Sequence, residues 1–437
     1  MSPGRRAQLG DARSRLPRAL LAGTVVFGAL LIPAGAAIAQ PERPTARGTS
    51  DDLVRSKEYW LDGYGIRSAW NSTRGKGVTI AIIDTGIDGS VAELRGAIVG
   101  GADFSGRGAA NGQTPVGTDS EHGTMVASLA AGRGSGSGTG VIGAAPEASL
   151  LAISVGFGDA AGDSDQQIAD AVTWAVDHGA KVINMSLTRN TLDWPPSWDT
   201  AFLYAAQHDV VVVAAAGNRG SGTEEVGAPA TMPGVLAIGG VNAAGVASSE
   251  ASAQGITIGV SAPSEKLVGV VPGGGYVLWD GTSGATPIVA GIVALVRAAH
   301  PELDAANVIQ RVLATAHDRG PSGPDELYGF GTVDAAAAVT GTVAAVTANP
   351  LGDLAEWVRV NRRATTTPTP VTSASEAVAP APRAAAQPRD PVGVLLPSAV
   401  ELTLVGLPLM VVLLMLFALG GLVVGAVVHF RSLRRTG

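Results

Sequence analysis

The chain has no cysteine among its 437 residues. That absence excludes a disulfide framework, a cysteine zinc site, an iron–sulfur cluster and a thiol nucleophile. An exported protein of this composition has to stand without covalent staples, which a single large core can manage. Charge is also scarce. Asp, Glu, Lys and Arg make up 15%, against roughly 25% in an ordinary soluble domain. A basic excess is missing too: the formal net charge is −7, whereas general nucleic-acid binding wants a basic face. With 46% hydrophobic residues and a mean hydropathy of +0.27, the missing charge points to signal or membrane segments. Gly (59) and Pro (26) are plentiful, yet together they stay below the roughly 25–30% that marks low-complexity disorder. A large buried core is therefore available.

Both ends read as membrane-related. In residues 1–39, Arg5, Arg6, Arg13, Arg15 and Arg18 precede an apolar run from Ala19 to Ile32, and Ala37-Ile38-Ala39 forms a small-x-small cleavage pattern. This is the pattern of an export signal, of Sec type because Arg5-Arg6 lies far from the apolar run. Leu402 to Val428 carries no charge. About 20 such residues span a bilayer, so a tilted transmembrane helix is expected. Arg431, Arg434 and Arg435 follow it, which puts the tail 429–437 in the cytoplasm and the rest outside. Ala364–Pro391 is rich in Pro, Thr, Ala and Ser without an apolar period, as in a semi-extended stalk. The five arginines and Asp11 give residues 1–39 a charge of +4, leaving −11, and −14 without the three tail arginines. The expected ectodomain is acidic.

Between these ends, β-branched apolar runs alternate with helix-like stretches, and no internal repeat is visible. Val78–Ile83, Ser149–Val155, Lys181–Leu187, Val210–Ala216 and Val235–Val241 are short and nearly all apolar, which suits a parallel sheet covered on both faces. Asp165–Asp177 and Trp198–His208 have helical spacing. The expectation is a parallel α/β sandwich, whose functional groups gather beyond the carboxyl ends of its strands.

Four features stand at such places. Asp84 ends the first strand before Thr85-Gly86; alone it is equally a turn carboxylate. Of the six histidines, His178, His208, His300 and His317 follow helices, where the dipole favours them, and His429 follows the apolar C-terminal run. His122 instead precedes a helix, in Ser120-Glu121-His122-Gly123-Thr124, a place that suits a neutral general base. Ser283, in Gly281-Thr282-Ser283-Gly284-Ala285-Thr286-Pro287, opens the apolar helix Ile288–Ala299. Alone it is an N-cap; as a nucleophile it would gain from the positive helix end and nearby N–H donors. Asn218 follows the strand Val210–Ala216, as a turn residue or as a side-chain amide aimed at an oxyanion.

Together, IAIIDTGID, SEHGTMVA, VINMSL, VVVVAAAGN and GTSGATPIVAG resemble the sequence blocks of the subtilisin-like serine proteases, in that family's order Asp…His…Ser. The likeness runs from Gly77 to Val339 and implies a subtilisin-like three-layer sandwich with a parallel sheet. It implies Ser283 as nucleophile, His122 as base, Asp84 as the group that orients His122, and an oxyanion hole of Asn218 with the Ser283 N–H. It further implies Ser186, Leu187 and Thr188 as the edge that pairs with an extended substrate, and Ala215, Ala216 and Gly217 as the wall of the main specificity pocket. The partner would be a protein or peptide substrate, with no cofactor.

Some positions depart from the pattern. Thr188, followed by Arg189, stands where the family often has Gly, which narrows or recharges the pocket mouth. Met125 and Ile288 replace frequent His, and Gly284 a frequent Met. The loop Gly132–Gly140 has no carboxylate, whereas Ca²⁺ takes about 6–8 oxygens and usually some carboxylates, so no required metal is expected there. Asp159, Asp163 and Asp165 read as solvated loop carboxylates, with a preference for basic substrate residues as the functional alternative.

The expected organisation is a signal (1–39), an N-terminal extension (40–76) too short for a folded inhibitory pro-domain, a peptidase domain (77–345), a linker (346–391), a membrane-anchor region (392–428) and a cytoplasmic tail (429–437). This layout resembles the mycosin group that accompanies type VII secretion, although that group usually has cysteines. The function expected is a membrane-anchored extracytoplasmic serine endopeptidase. The alternative is a subtilisin-fold scaffold in a membrane secretion complex, where cleavage is secondary. An esterase is disfavoured, since no G-x-S-x-G elbow surrounds Ser283.

Overall fold

Apolar strands that bury both faces dictate the architecture. The protein is represented by a computed structural model, which describes residues 52–157 and 162–362. The signal, Asp159, the stalk Ala364–Pro391, the apolar run Leu402–Val428 and the tail 429–437 lie outside the described residues, and of the expected linker only 346–362 is described.

Seven strands, β1 (Thr79–Asp84), β2 (Ile98–Asp103), β3 (Ser149–Ser154), β4 (Val182–Met185), β5 (Val211–Ala215), β6 (Leu236–Val241) and β7 (Ile258–Pro263), form one sheet in the order β2-β3-β1-β4-β5-β6-β7. Every pairing is parallel. The five expected strands are all present. β2 was not expected, because Gly100-Gly101 interrupts its apolar pattern. β7, also unexpected, is buried throughout.

Alternate residues serve opposite faces, as the strand period of two requires. Ile80 and Ile82 of β1 join Leu150, Val211 and Ile238 in one core. Ala81 and Ile83 join Ile153, Ile183 and Val212 in the other. The first core is covered by α3 (His122–Ala131) and α6 (Thr282–Ala299), the second by α4 (Ser164–Asp177) and α5 (Pro196–Gln207). The shorter α7 (Ala305–Ala314) and α8 (Ala335–Thr340) join the first layer. Among the described residues α6 is the one helix long and apolar enough to cross a membrane, and it is largely buried inside the protein. It is a core helix.

The expected boundaries at 76/77 and 345/346 do not coincide with structural ones. In the segment before β1, α1 (Trp60–Gly63) and α2 (Ile66–Ala69) place Trp60, Leu61, Ile66 and Ala69 fully inside the first core. The same segment holds the glycine loop. Gly140 N–H donates to Asp52 (2.6 Å), Ile142 N–H to Glu58 (2.7 Å), and Arg55 to the Thr139 carbonyl (3.2 Å). After residue 345, α9 (Leu354–Asn361) docks on the second core. Leu354 is buried, Trp357 packs on Trp194 with ring centroids 4.3 Å apart, and Arg362 pairs with Asp199 at 2.8 Å. Leu354, Trp357 and Val358 have the spacing of one helical face, so the beginning of the expected linker belongs to the folded unit.

If the N-terminal segment is part of the core, Trp60→Ala should lower the unfolding free energy by about 3–5 kcal/mol. Trp60→Phe should cost far less, because the Trp60 Nε1–H has no hydrogen-bond partner to lose. Chemical unfolding of the full-length variants measures both; equal losses would contradict this packing.

Candidate active site

The chain runs β1, β2, β3 to one side of the sheet and β4 onward to the other, so the strand order reverses at β1. Open parallel sheets make crevices at such reversals, at the carboxyl ends of the strands. Asp84 is the last residue of β1 and 2% exposed. Its Oδ1 accepts from the Thr85 N–H at 2.8 Å. His122 is the first residue of α3, and its Nδ1 lies 2.8 Å and 3.0 Å from the two Asp84 oxygens. The helix approaches this closely because residue 123 is glycine: a Cβ there would collide with the Gly86 carbonyl. Thr85 joins the pieces, its hydroxyl accepting from the Gly123 N–H at 3.0 Å.

His122 is one-quarter exposed. Burial pushes its pKa down, but the Asp84 charge and hydrogen bond, helped by Asp119 and Glu121, outweigh that and raise it above its ordinary value. A carboxylate on Nδ1 also fixes the proton on that nitrogen in the neutral ring, leaving Nε2 as the acceptor. Trp279, on a hairpin of β8 (Leu267–Val270) and β9 (Tyr276–Trp279), meets the imidazole edge to face at 5.7 Å. Gly284 lets α6 approach this hairpin, since a Cβ there would collide with Leu267 Cδ1 and lie 3.3 Å from two ring atoms of Trp279.

Ser283 is the second residue of α6. Pro287 lies one turn further on and has no N–H to give back to the Ser283 carbonyl. That carbonyl accepts instead from the Ser186 hydroxyl at 2.8 Å. The Ser283 hydroxyl donates to the Ser186 carbonyl at 3.1 Å and is not bonded to His122, so donating to the imidazole requires that bond to be given up. Such contacts often tighten only with substrate bound. On the other side, Asn218 Oδ1 accepts from the Thr282 N–H (2.8 Å) and hydroxyl (3.0 Å). With its oxygen so engaged, the Asn218 NH2 is held facing away from Thr282. Gly281, at φ 142°, gives it space: a Cβ there would come within 3.1 Å of Asn218 Nδ2.

Ser186 therefore lies directly against Ser283, with Leu187 and Thr188 following it in the chain, while Ala215 and Ala216, both buried, and Gly217 lead into Asn218. Three contributors escaped the sequence reading. Thr282 locks Asn218. Asn184, fully buried, donates to the Ser186 hydroxyl at 3.0 Å; a lone amide inside the apolar run VINM was its signal. Thr85 links Asp84 to α3. Of the acidic cluster, Asp163 caps α4 by accepting from the Asp165 and Gln166 N–H groups, and Asp165 pairs with Arg189. Among the described residues no group of three or more His, Asp or Glu is arranged to hold a metal.

An α/β protein with Asp, His and Ser converging at the carboxyl edge of a parallel sheet is the class these features define. The Subtilase family is matched over residues 75–331, more than half of the chain, and the chain belongs to that family. It is 38% identical over 267 residues to subtilisin E of Bacillus subtilis (strain 168), covering 60% of this chain and 66% of that protein. It is 34% identical over 331 residues to fervidolysin of Fervidobacterium pennivorans, covering 68% and 45%. The chain thus spans less than two thirds of both. The solved structure of MycP3 protease from the type VII (ESX-3) secretion system superposes with a TM-score of 0.56 at 32% identity, covering 65% of this chain and 88% of that one. The fold is subtilisin-like.

The Asp84 contact makes a prediction that does not depend on activity. NMR titration of His122 should give a pKa above the ordinary value of about 6.5, and Asp84→Asn should bring it down. Because the folded-state pKa is raised, the stabilisation this pair adds is full below about 6.5 and is lost as pH rises through the folded value. A His122 pKa unchanged by Asp84→Asn would contradict the geometry.

Proposed function

We propose that the protein is an extracytoplasmic serine endopeptidase, anchored in the membrane through Leu402–Val428 with the arginine-bearing tail in the cytoplasm. The observation that carries the catalytic part is the Asp84–His122 bond beside a helix-initial Ser283, with an Asn amide fixed on the far side of that serine. In this reading Ser283 Oγ attacks the scissile carbonyl as its proton passes to His122 Nε2. Asp84 stabilises the imidazolium, which then protonates the leaving amine, and water releases the acyl group by the same route. The Asn218 amide and the Ser283 N–H bear the developing oxyanion. Ser186–Thr188 pairs with the extended substrate, and Ala215–Gly217 borders the side chain next to the cleaved bond. A neutral His122 is required, so kcat/KM falls as pH drops through its raised pKa.

The membrane part of the proposal rests on the uncharged run followed by Arg431, Arg434 and Arg435 and on the positive-inside rule. Likeness to MycP3, a protease described as part of a type VII secretion system, supports a place in a membrane secretion assembly.

The test is hydrolysis of peptide substrates by the full-length protein and its variants. Ser283→Ala should abolish phosphonylation by a fluorophosphonate probe, in which the serine oxygen bonds phosphorus and fluoride leaves. Asn218→Ala should lower kcat by about 10²–10³, the loss measured for the corresponding Asn of subtilisin, with KM little changed. An Asn218→Ala effect confined to KM would remove the oxyanion role. A wild type that neither labels nor hydrolyses would remove the enzyme reading.

A further inference from the structure

This inference rests on the endopeptidase reading and refines its substrate. Ser283 is gripped from two sides, by Ser186 through a pair of hydrogen bonds and by Gly217-Asn218 through Thr282. A peptide whose carbonyl carbon reaches Ser283 Oγ, with its oxygen toward the Asn218 amide, sends that residue's side chain between these two segments.

The space there is already occupied. Gly217 (φ 107°) has no side chain, yet a Cβ built on it would lie 2.5 Å from Thr223 Cγ2 and 3.3 Å from Thr188 Cγ2. Two methyl groups, one from each side, thus stand against the Gly217 backbone. Both are fixed by their own hydroxyls: Thr188 Oγ1 donates to the Arg189 carbonyl at 3.1 Å and Thr223 Oγ1 to Asn190 Oδ1 at 2.5 Å. β-Branching leaves such side chains few other rotamers. Deeper in, the Arg189 N–H bonds the Ala228 carbonyl (2.7 Å) and the Ala228 N–H the Thr191 carbonyl (2.9 Å). Gly227 there has its Cβ direction closed by Arg189 and Thr188.

We infer that Thr188 and Thr223 close the cleft beside Ser283 to all but Gly, Ala or Ser at the substrate residue whose carbonyl is attacked. Thr188 and Thr223 are then specificity-determining residues, acting through their methyl groups.

The experiment compares the full-length protein on peptide p-nitroanilides that differ only in that residue: Gly, Ala, Leu or Phe. The wild type should cleave the Ala substrate at least about 10-fold faster, in kcat/KM, than the Phe substrate. The double variant Thr188→Ser, Thr223→Ser removes only the two methyls and keeps both hydroxyls. It should raise the Phe-to-Ala ratio about 10-fold or more, whereas Thr188→Val, which retains the methyl, should leave the ratio low. Thr188→Ser alone carries the same sign if the double variant fails to fold. A wild type that prefers Phe, or a ratio unmoved in the Ser variants, overturns the inference and leaves the endopeptidase reading standing. No hydrolysis of any substrate, with Ser283 unlabelled by a fluorophosphonate, overturns that reading and this inference with it.

Discussion

The start of α6 is bolted to the tips of two neighbouring strands, and the rest of the site depends on that docking. Ser186, just beyond β4, exchanges two hydrogen bonds with Ser283. Gly217 and Asn218, just beyond β5, engage Thr282 through four contacts. Pro287 makes the first of these docks available by leaving the Ser283 carbonyl without an intrahelical donor. The serine is thereby placed at a helix N-terminus, where the dipole and free N–H groups favour negative charge. The Asn218 amide is oriented by the fold itself, the preorganisation that the proposed oxyanion role requires.

The sheet supplies the frame for this. Because all seven strands are parallel, their carboxyl ends lie along one edge, and β1, β4 and β5 are consecutive neighbours there. Asp84, Ser186 and Asn218 are set in a row by topology alone. The helices α3 and α6 lie on the same face and share one core, so His122 and Ser283 reach the row from the same side. Burial of α6, with fifteen of its eighteen residues inside, anchors the helix that carries Ser283 in the first core.

Much of this was legible because punctuation marks it. An acid at the end of an apolar strand, a histidine before rather than after a helix, and an asparagine after a run of valines are local signals, and Asp84, His122 and Asn218 carry them. What stayed hidden is long-range. Nothing local singles out Thr282 until Asn218, 64 residues away in sequence, is brought against it. Thr188 stands out in the sequence as narrowing the pocket mouth, but nothing there announces that Thr223 stands with it against Gly217. Strand β2 was masked by its glycines, which let other backbones approach closely: a Cβ at Gly101 would strike the Asn111 and Ala152 carbonyls. The flanking helices α1, α2 and α9 are too short for periodicity to register, and tertiary burial of Trp60 and Leu354 decides them.

Ser283 and His122, unbonded in the free protein, are proposed to converge on one substrate, the serine oxygen on the carbonyl carbon and His122 on the proton that oxygen gives up. A peptidyl chloromethyl ketone tests this directly, since it alkylates a histidine only while held by the neighbouring serine. After reaction with an Ala-terminated reagent, peptide mapping by mass spectrometry should find the inhibitor on His122, bridged to Ser283, and the adduct should be lost in Ser283→Ala. Alkylation elsewhere, or at His122 irrespective of Ser283, would rule out their joint action on the substrate.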